Sequence, residues 1–572
     1  IRGKIAMGFG RFRTMFRREP TRQELYLRLL RGLNIDRDYQ AWIDTWENYQ
    51  PALAAPGPPL PISVLLAGAP TDSDSAYWSR VAESQDSIII ERIGSRIGQE
   101  LRNAIVRGLP AAADHVVILH PSDRLAAPAA QRLQAAAEAA ADAPLIFGDE
   151  DQIDRAGQRF APWFKPDFGE DLFLCQNGFG RAVFFRKSVL ERLTVPDGDD
   201  LDAIVYSLAL QAIASAGQNP LHCPGILVHV SGHPARTPRA RCLYLDGASR
   251  RAAVEQFMAK RSSCAGATVE GPDPHGFLRL RHPLPGRLPL VSIVIPTRDR
   301  SDLLKLCIES LDQATDYPNK EVVILDNGSE EEATRAYFAS VSHRADLRVI
   351  PAPGAFNYPR LINLGASHAK GDILVTLNND IEAFEPGWLK EMVAQVLRPG
   401  VGLVGCLLLY PDRSVQHAGV IMGLSGVAGH MYAEAAPDDP GHAGRILVTQ
   451  DLSAVTGACH VMRRALFERL GGLDERHLAV AYNDIDFCLR VREAGLRVIY
   501  TPHARLLHQH SASRGSDVRP ERLASYTWER EYMRTRWSRV IFDDPFFNPN
   551  LSLSGKRGRL ATAPRPRIFR KT

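Results

Sequence analysis

Residues 290–299 read Leu290-Val291-Ser292-Ile293-Val294-Ile295-Pro296-Thr297-Arg298-Asp299. A short, almost wholly apolar run that stops at a proline and a polar loop is the pattern of a buried strand with chemistry at its carboxyl end. Downstream, Leu304, Cys307, Ile308 and Leu311 recur at helical spacing. A second run, Val322-Val323-Ile324-Leu325, ends at Asp326-Asn327-Gly328-Ser329. A third, Ile373-Leu374-Val375-Thr376-Leu377, ends at Asn378-Asn379-Asp380. Alternating strand and helix patterns predict an α/β domain with a mostly parallel sheet. In such sheets ligands collect beyond the carboxyl ends of the strands, where Thr297, Asp326 and the Asn-Asn-Asp triplet fall.

Upstream, the same order recurs with its polar residues changed. Val116-Val117-Ile118-Leu119 with His120-Pro121-Ser122-Asp123 mirrors residues 373–380, Asp200-Leu201-Asp202 mirrors Asp484-Ile485-Asp486, and Pro224 to His229 mirrors Pro502 to His508. This predicts a duplicated domain whose first copy is degenerate. His120 and Ser122 stand where metal-binding acids would be, and Asp200 in the place of Asp484. The expected boundaries are a basic, partly helical leader (1–55), a degenerate module (56–271), a Pro-rich linker (272–289), an active module (290–550) and a basic tail (551–572).

A length of 572 residues suits more than one core. The composition, 45% hydrophobic and 23% charged, is that of an ordinary folded protein. No run reaches the roughly 18 apolar residues of a spanning helix, and no secretory signal is visible at the start. Eight cysteines without a C-x-x-C pair argue against zinc and disulfide frameworks and suit a reducing cytosol. Residues 1–20 carry six basic side chains and one acid, and residues 555–572 seven and none, leaving 56 basic against 64 acidic residues between them. Basic ends on an acidic body attract anionic surfaces. The leader interleaves its cations with Ile5, Met7, Phe9, Phe12, Met15 and Phe16, a mixture suited to peripheral contact with anionic lipid. No aromatic–basic interleaving of an RNA-binding strand occurs, so no nucleic-acid partner is expected. A dinucleotide site is not expected either, because no complete G-x-G-x-x-G follows a strand.

Taken singly, the polar motifs are weak. Asn378 and Asp380 supply hard oxygen ligands for a divalent cation, yet both residue types are also ordinary turn formers. Asp484 and Asp486 open a helix, where they serve either as caps or as a general base. His508 follows a strand and is a candidate metal ligand.

In order, these pieces resemble glycosyltransferase family 2. The resemblance extends through Val415-Gln416-His417-Ala418-Gly419-Val420, Val427-Ala428-Gly429-His430, Val455-Thr456-Gly457-Ala458-Cys459, Gly471-Gly472-Leu473-Asp474-Glu475 and Ser511-Ala512-Ser513-Arg514-Gly515. Asp149-Glu150-Asp151-Gln152-Ile153-Asp154, Phe164-Lys165-Pro166-Asp167 and Asp544-Pro545-Phe546-Phe547-Asn548-Pro549-Asn550 are similar to a two-module bacterial subgroup, so about residues 40 to 552 are covered. The resemblance implies tandem GT-A-like (Rossmann-like) nucleotide-sugar domains, the first degenerate. It also implies inverting, divalent metal-dependent (Mn²⁺ or Mg²⁺) transfer of a sugar from a nucleotide-diphosphate donor to a glycan or lipid-linked acceptor, in a cytoplasmic protein with peripheral contact at the plasma membrane. By motif position Asp484 is the base. Thr297, Asp326, Asn363 and Asn379 bind the nucleotide sugar; Asn378, Asp380 and His508 bind the metal; Gly457, Asn483 and Asp486 face the acceptor. The chain departs from the pattern in having Asn378 for an acid, Asn483 before the base, and His510 in the place of a glutamate. The rival reading is a non-catalytic nucleotide-sugar or glycan-binding scaffold. Joint retention of Asp380, Asp484 and His508 in one module argues against it.

Overall fold

A computed structural model of the chain describes residues 35, 38–46, 59–232, 247–509, 520–554 and 558–567. The basic leader, the helical pattern expected near Leu25–Leu33, His510, and residues 555–557 and 568–572 of the tail lie outside them.

The first sheet comprises β1 (Ile62–Ala67), β2 (Ile88–Ile93), β3 (His115–Leu119), β4 (Arg124–Leu125), β5 (Leu145–Ile153), β6 (Arg159–Trp163), β7 (Val183–Arg186) and β8 (Leu221–Ser231). A hairpin of β9 (Thr268–Glu270) and β10 (Arg279–Arg281) follows. The second sheet comprises β11 (Val291–Thr297), β12 (Lys320–Asp326), β13 (Leu347–Pro351), β14 (Ile373–Leu377), β15 (Ile381–Ala383), β16 (Val401–Leu409), β17 (Val415–His417), β20 (Gln450–Asp451), β21 (Cys459–Arg463) and β22 (Arg497–His508), with a small hairpin of β18 (Val420–Met422) and β19 (Ala428–His430) beside it.

The spatial orders are β2-β1-β3-β7-β5-β8-β4 and β13-β12-β11-β14-β21-β16-β22-β15. Strand for strand these superpose, β1 on β11, β3 on β14, β7 on β21, β5 on β16, β8 on β22 and β4 on β15, with β13 extra. The duplication read from the sequence is therefore a duplication of topology. The sheets are mixed rather than mostly parallel. β11 pairs β12 and β14 in parallel, across connections long enough to hold a helix, whereas β21 runs antiparallel to both β14 and β16.

Every residue of β11 is buried, and the helix Tyr358–His368 lies close against it. A Cβ at Gly365 would stand 2.3 Å from Val294 Cγ1, so only glycine admits this approach. Burying one Val or Ile side chain contributes roughly 1.5–3 kcal/mol, which makes this strand an anchor for the loop at its end.

The modules share a core. The helix Tyr39–Trp46 buries Tyr39 and Trp42 against Phe164 of the first module, in one cluster with Leu551 and Leu560. The stretch expected as a free Pro-rich linker carries β10 and buries Phe277 and Leu278 in the first module's core. Polar groups finish the junction. Asn548 Nδ2 donates to both oxygens of buried Asp149, at 3.0 and 2.9 Å, and to the Lys165 carbonyl at 2.8 Å. Asp149 also accepts from Gly225 N at 2.7 Å and pairs with His222 at 3.0 Å. Arg565 and Arg567, among the described tail residues, belong to this junction. Arg567 pairs with Asp167 and, at 3.0 Å, with Asp543, while Arg565 donates to the carbonyls of Leu551 and Asn548. Internal carboxylates and carbonyls thus hold two cations that composition alone offers to lipid.

Seven cysteines are free and buried. No helix among the described residues is long and apolar enough to cross a membrane.

Candidate active site

Three strand ends of the second sheet converge. Thr297 ends β11 and pairs in register with Asp326, the end of β12. Asn379, just past β14, donates from Nδ2 to Thr297 Oγ1 at 2.9 Å, tying the third strand end to the first. Asp326 Oδ1 accepts from the amide and hydroxyl of Ser329 at 2.8 and 2.6 Å, forming the turn that Gly328 completes at φ 79°. Oδ2 takes no part in that turn. Asp326 is therefore both a turn residue and a carboxylate presented at the strand ends.

Asp380 and His508 meet across the β15–β22 pairing, in which Ile381 lies opposite His508. Asp380 is 5% and His508 8% exposed, and Asp380 Oδ1 lies 3.1 Å from His508 Nε2. Gln416 decides what faces the acid. Its Nε2 donates to the His508 carbonyl at 3.3 Å, which fixes the amide orientation, and its Oε1 then accepts from His508 Nδ1 at 2.6 Å. With Nδ1 donating to Gln416, Nε2 is the ring nitrogen turned toward Asp380. Buried Asp380 Oδ1 accepts no hydrogen bond. A buried carboxylate oxygen without a hydrogen bond, beside an imidazole nitrogen, fits a cation, and imidazole with carboxylate is a donor set that Mn²⁺ or Mg²⁺ accepts. Among the described residues no three His, Cys, Asp or Glu side chains gather as a metal site. A cation would therefore draw on this pair, on the amide oxygen of half-buried Asn378, and on substrate phosphates, as hard cations commonly do.

Asp484 is the second residue of the helix Asn483–Glu493. Gly457 N donates to its Oδ2 at 2.8 Å and Ile485 N to its Oδ1 at 2.8 Å. A Cβ at Gly457 would stand 2.8 Å from Asp484 Cβ, which explains the glycine. Tyr358, whose hydroxyl donates to the Gly457 carbonyl at 3.2 Å, closes the other side; burial and the Asp484 charge push its phenol well above the ordinary range. Tyr482 enters the helix at φ 61°, a conformation costing a non-glycine residue of order 1–2 kcal/mol. Contacts to the following helix, Pro520–Arg536, hold it: Tyr482 Oη lies 2.8 Å from Tyr526 Oη, and Glu529 accepts from Val480 N and Ala481 N at 3.1 and 2.7 Å.

Three of the residues expected to face ligands also bond within the chain. Asn363 clamps the Gly-Gly-Leu-Asp-Glu loop, donating to Leu473 O at 2.9 Å and Glu475 Oε1 at 2.7 Å while accepting from Leu473 N at 2.9 Å. Asn483 donates to the Leu478 and Val480 carbonyls at 3.3 and 3.1 Å. Asp486 is fully buried, with Arg490 Nε at 2.8 Å and Trp537 Nε1 at 2.9 Å on its oxygens. Both amide hydrogens of Asn363 and Asn483, and both oxygens of Asp486, thus bond to other groups of the chain. Gln416 is the residue that the sequence reading quoted without a role; its partner lies 92 positions away, and no local signal exposes that pairing.

The first module also differs in detail from the expectation. Arg124 pairs with His229 as Ile381 pairs with His508, so Asp123 occupies the place of Asp380, rather than His120 or Ser122. Asp200 is an exposed helix cap bonded to Ala203 N at 3.1 Å, and Asp202 is the second helical residue, as Asp484 is. A loop one residue longer and a helix starting after Asp200 make these shifts, which sequence spacing cannot register.

Residues 292–471 match the family described as Glycosyl transferase family 2. A protein of Sinorhizobium fredii called y4gI, itself uncharacterized, is 39% identical over 418 residues, 72% of this chain and 45% of its own length. The O-antigen biosynthesis protein RfbC of Myxococcus xanthus is 35% identical over 450 residues, 77% of this chain and 34% of its own. The chain thus spans less than half of either relative. A Pyrobaculum calidifontis mannosyltransferase solved with GDP-Man and Mn²⁺ aligns at 20% identity over 47% of this chain and 69% of its own, with a TM-score of 0.35.

Proposed function

We propose that the second module, whose residues 292–471 match glycosyl transferase family 2, moves a sugar from a nucleotide-diphosphate donor to a hydroxyl of a cell-surface glycan or lipid-linked acceptor, with inversion. The observation that carries this reading is buried Asp380 Oδ1, which accepts no hydrogen bond and lies 3.1 Å from His508 Nε2. Asp380, His508 and Asn378 would hold a divalent cation, which neutralises charge on a diphosphate leaving group.

The chain's own residues supply the rest. Thr297, Asp326 and Asn379 line the strand ends where the nucleotide would lie. Asp484 receives the proton of the acceptor hydroxyl as that oxygen attacks the anomeric carbon, and the bond from that carbon to the diphosphate breaks from the opposite face. The Gly457 amide keeps the carboxylate aimed. Surface polysaccharide or O-antigen assembly is the setting suggested by the name of the Myxococcus relative, at the cytoplasmic face of the membrane.

A donor screen reporting nucleoside-diphosphate release, with Mn²⁺ or Mg²⁺ and with excess chelator, tests the proposal. A nucleotide-linked rhamnose and UDP-hexoses head the panel. Release that needs both acceptor and metal is expected. Full turnover in chelator would remove the metal, and silence across all donors would favour the scaffold reading.

A further inference from the structure

The centre of the first module has a feature that its counterpart lacks. Counting back from matched strand positions, with Arg186 opposite His115 and Arg463 opposite Ile373, Gly180 corresponds to Gly457 and Arg181 to Ala458. The methyl group of the second module is thus a guanidinium in the first. That guanidinium reaches both acids that the register makes equivalent to Asp380 and Asp484. Arg181 Nη1 donates to Asp123 Oδ1 and Oδ2 at 3.1 and 3.0 Å. Its Nε and Nη2 donate to Asp202 Oδ1 and Oδ2 at 2.7 and 3.2 Å. Asp123 is fully buried and also accepts from Ser231 N and His120 N, each at 2.9 Å.

We propose that Arg181 is a built-in cation holding this centre closed, in the place where the second module would take a divalent metal, so that the chain carries one metal site rather than two. The contrast between copies supports it. Asp380 keeps an oxygen without a hydrogen bond, whereas both oxygens of Asp123 are bonded. A forked guanidinium is suited to bridging two carboxylates and is never deprotonated, so the closure is permanent rather than switched. The first module then lends its acids to architecture, in keeping with the way Asp149 and Asp167 serve the junction with the second module. The proposal does not depend on the activity assigned to the second module.

The test uses the full chain carrying Asp380→Ala and His508→Ala, so that the second module's pair no longer contributes. In this background Mn²⁺ binding, read by the loss of the free-ion electron paramagnetic resonance signal, should be absent. Adding Arg181→Ala should lower the melting temperature in chelator and create about one Mn²⁺ site that restores it. A folded Arg181→Ala chain that neither binds nor is stabilised by Mn²⁺ would overturn the proposal, as would Mn²⁺ binding by the background itself. Should Arg181→Ala fail to fold, the neutral set Arg181→Met, Asp123→Asn, Asp202→Asn decides. Charge compensation predicts a folded chain indifferent to Mn²⁺, and failure of that set would show that Arg181 acts by its shape. The unaltered chain binding one Mn²⁺ reports separately on the second module.

Discussion

At the residue scale the site rests on contacts that single substitutions can interrogate. Asp484→Asn keeps size and shape but cannot take a proton, so transfer should fall about 10²–10⁴-fold while nucleotide binding persists. Parent-like turnover of the purified variant would reassign the base. Gly457→Ala should act on the same group indirectly, because its new methyl would meet Asp484 Cβ at 2.8 Å. A displacement of about 1 Å at a base costs about 10²-fold, and the loss should appear in kcat more than in KM. Gln416→Leu removes the acceptor that holds the His508 proton on Nδ1. Mn²⁺ affinity, titrated directly on the protein, should drop about 10–100-fold. The sequence made Asp380, Asp484 and His508 legible because ordered motifs survive in one copy. It could not tell side chains that face a ligand from those that clamp a loop. Asn363, Asn483 and Asp486 stand at motif positions, yet each also bonds within the chain, Asn363 and Asp486 to residues far away in sequence.

At the scale of elements, strand periodicity placed the ends of β11, β12 and β14 correctly, since a buried strand is apolar until it must stop. Periodicity carries no information on direction, and the antiparallel entry of β21 and β7 was invisible to it. Nor does composition reveal that the segment from Asp543 to Arg567 seals two modules together. That seal predicts a stability effect far from the catalytic centre. Asn548→Ala would strip Asp149, buried at the junction, of its two amide hydrogen bonds. A buried carboxylate losing a donor costs about 1–3 kcal/mol, so the urea midpoint should fall accordingly. An unchanged midpoint would mean that water replaces the amide and that the junction is open.

At the scale of the whole molecule, the distribution of buried histidines sets how the protein tolerates acid. Burial pushes His115, His282 and His503 down to about 4, helped by Arg186, Arg398 and Arg279 respectively. Burial also depresses His417, beside His430, and His460. His115 Nδ1 and His282 Nε2 are buried without a hydrogen-bond partner, so a proton arriving there would find no acceptor. In the unfolded chain each ring titrates near 6.5. Below that pH the unfolded state binds more protons than the folded one, and stability declines as pH falls from about 6.5 toward 4. Each of the three rings should remove roughly 1 kcal/mol for the first pH unit. His222 runs the other way: burial lowers its pKa, but the Asp149 charge and bonds to Asp149 and Asp167 raise it overall. Its contribution is present below 6.5 and lost as pH rises through the raised folded value, so it opposes the others. Urea unfolding at pH 7.5 and 5.5 should therefore show a net loss of stability at the lower pH, before most carboxylates titrate. His115→Gln, which cannot be protonated, should flatten the profile by about the share of one ring. A stability that is level between these pH values would mean that the buried rings find partners for their protons, and that the packing around them is looser than their burial implies.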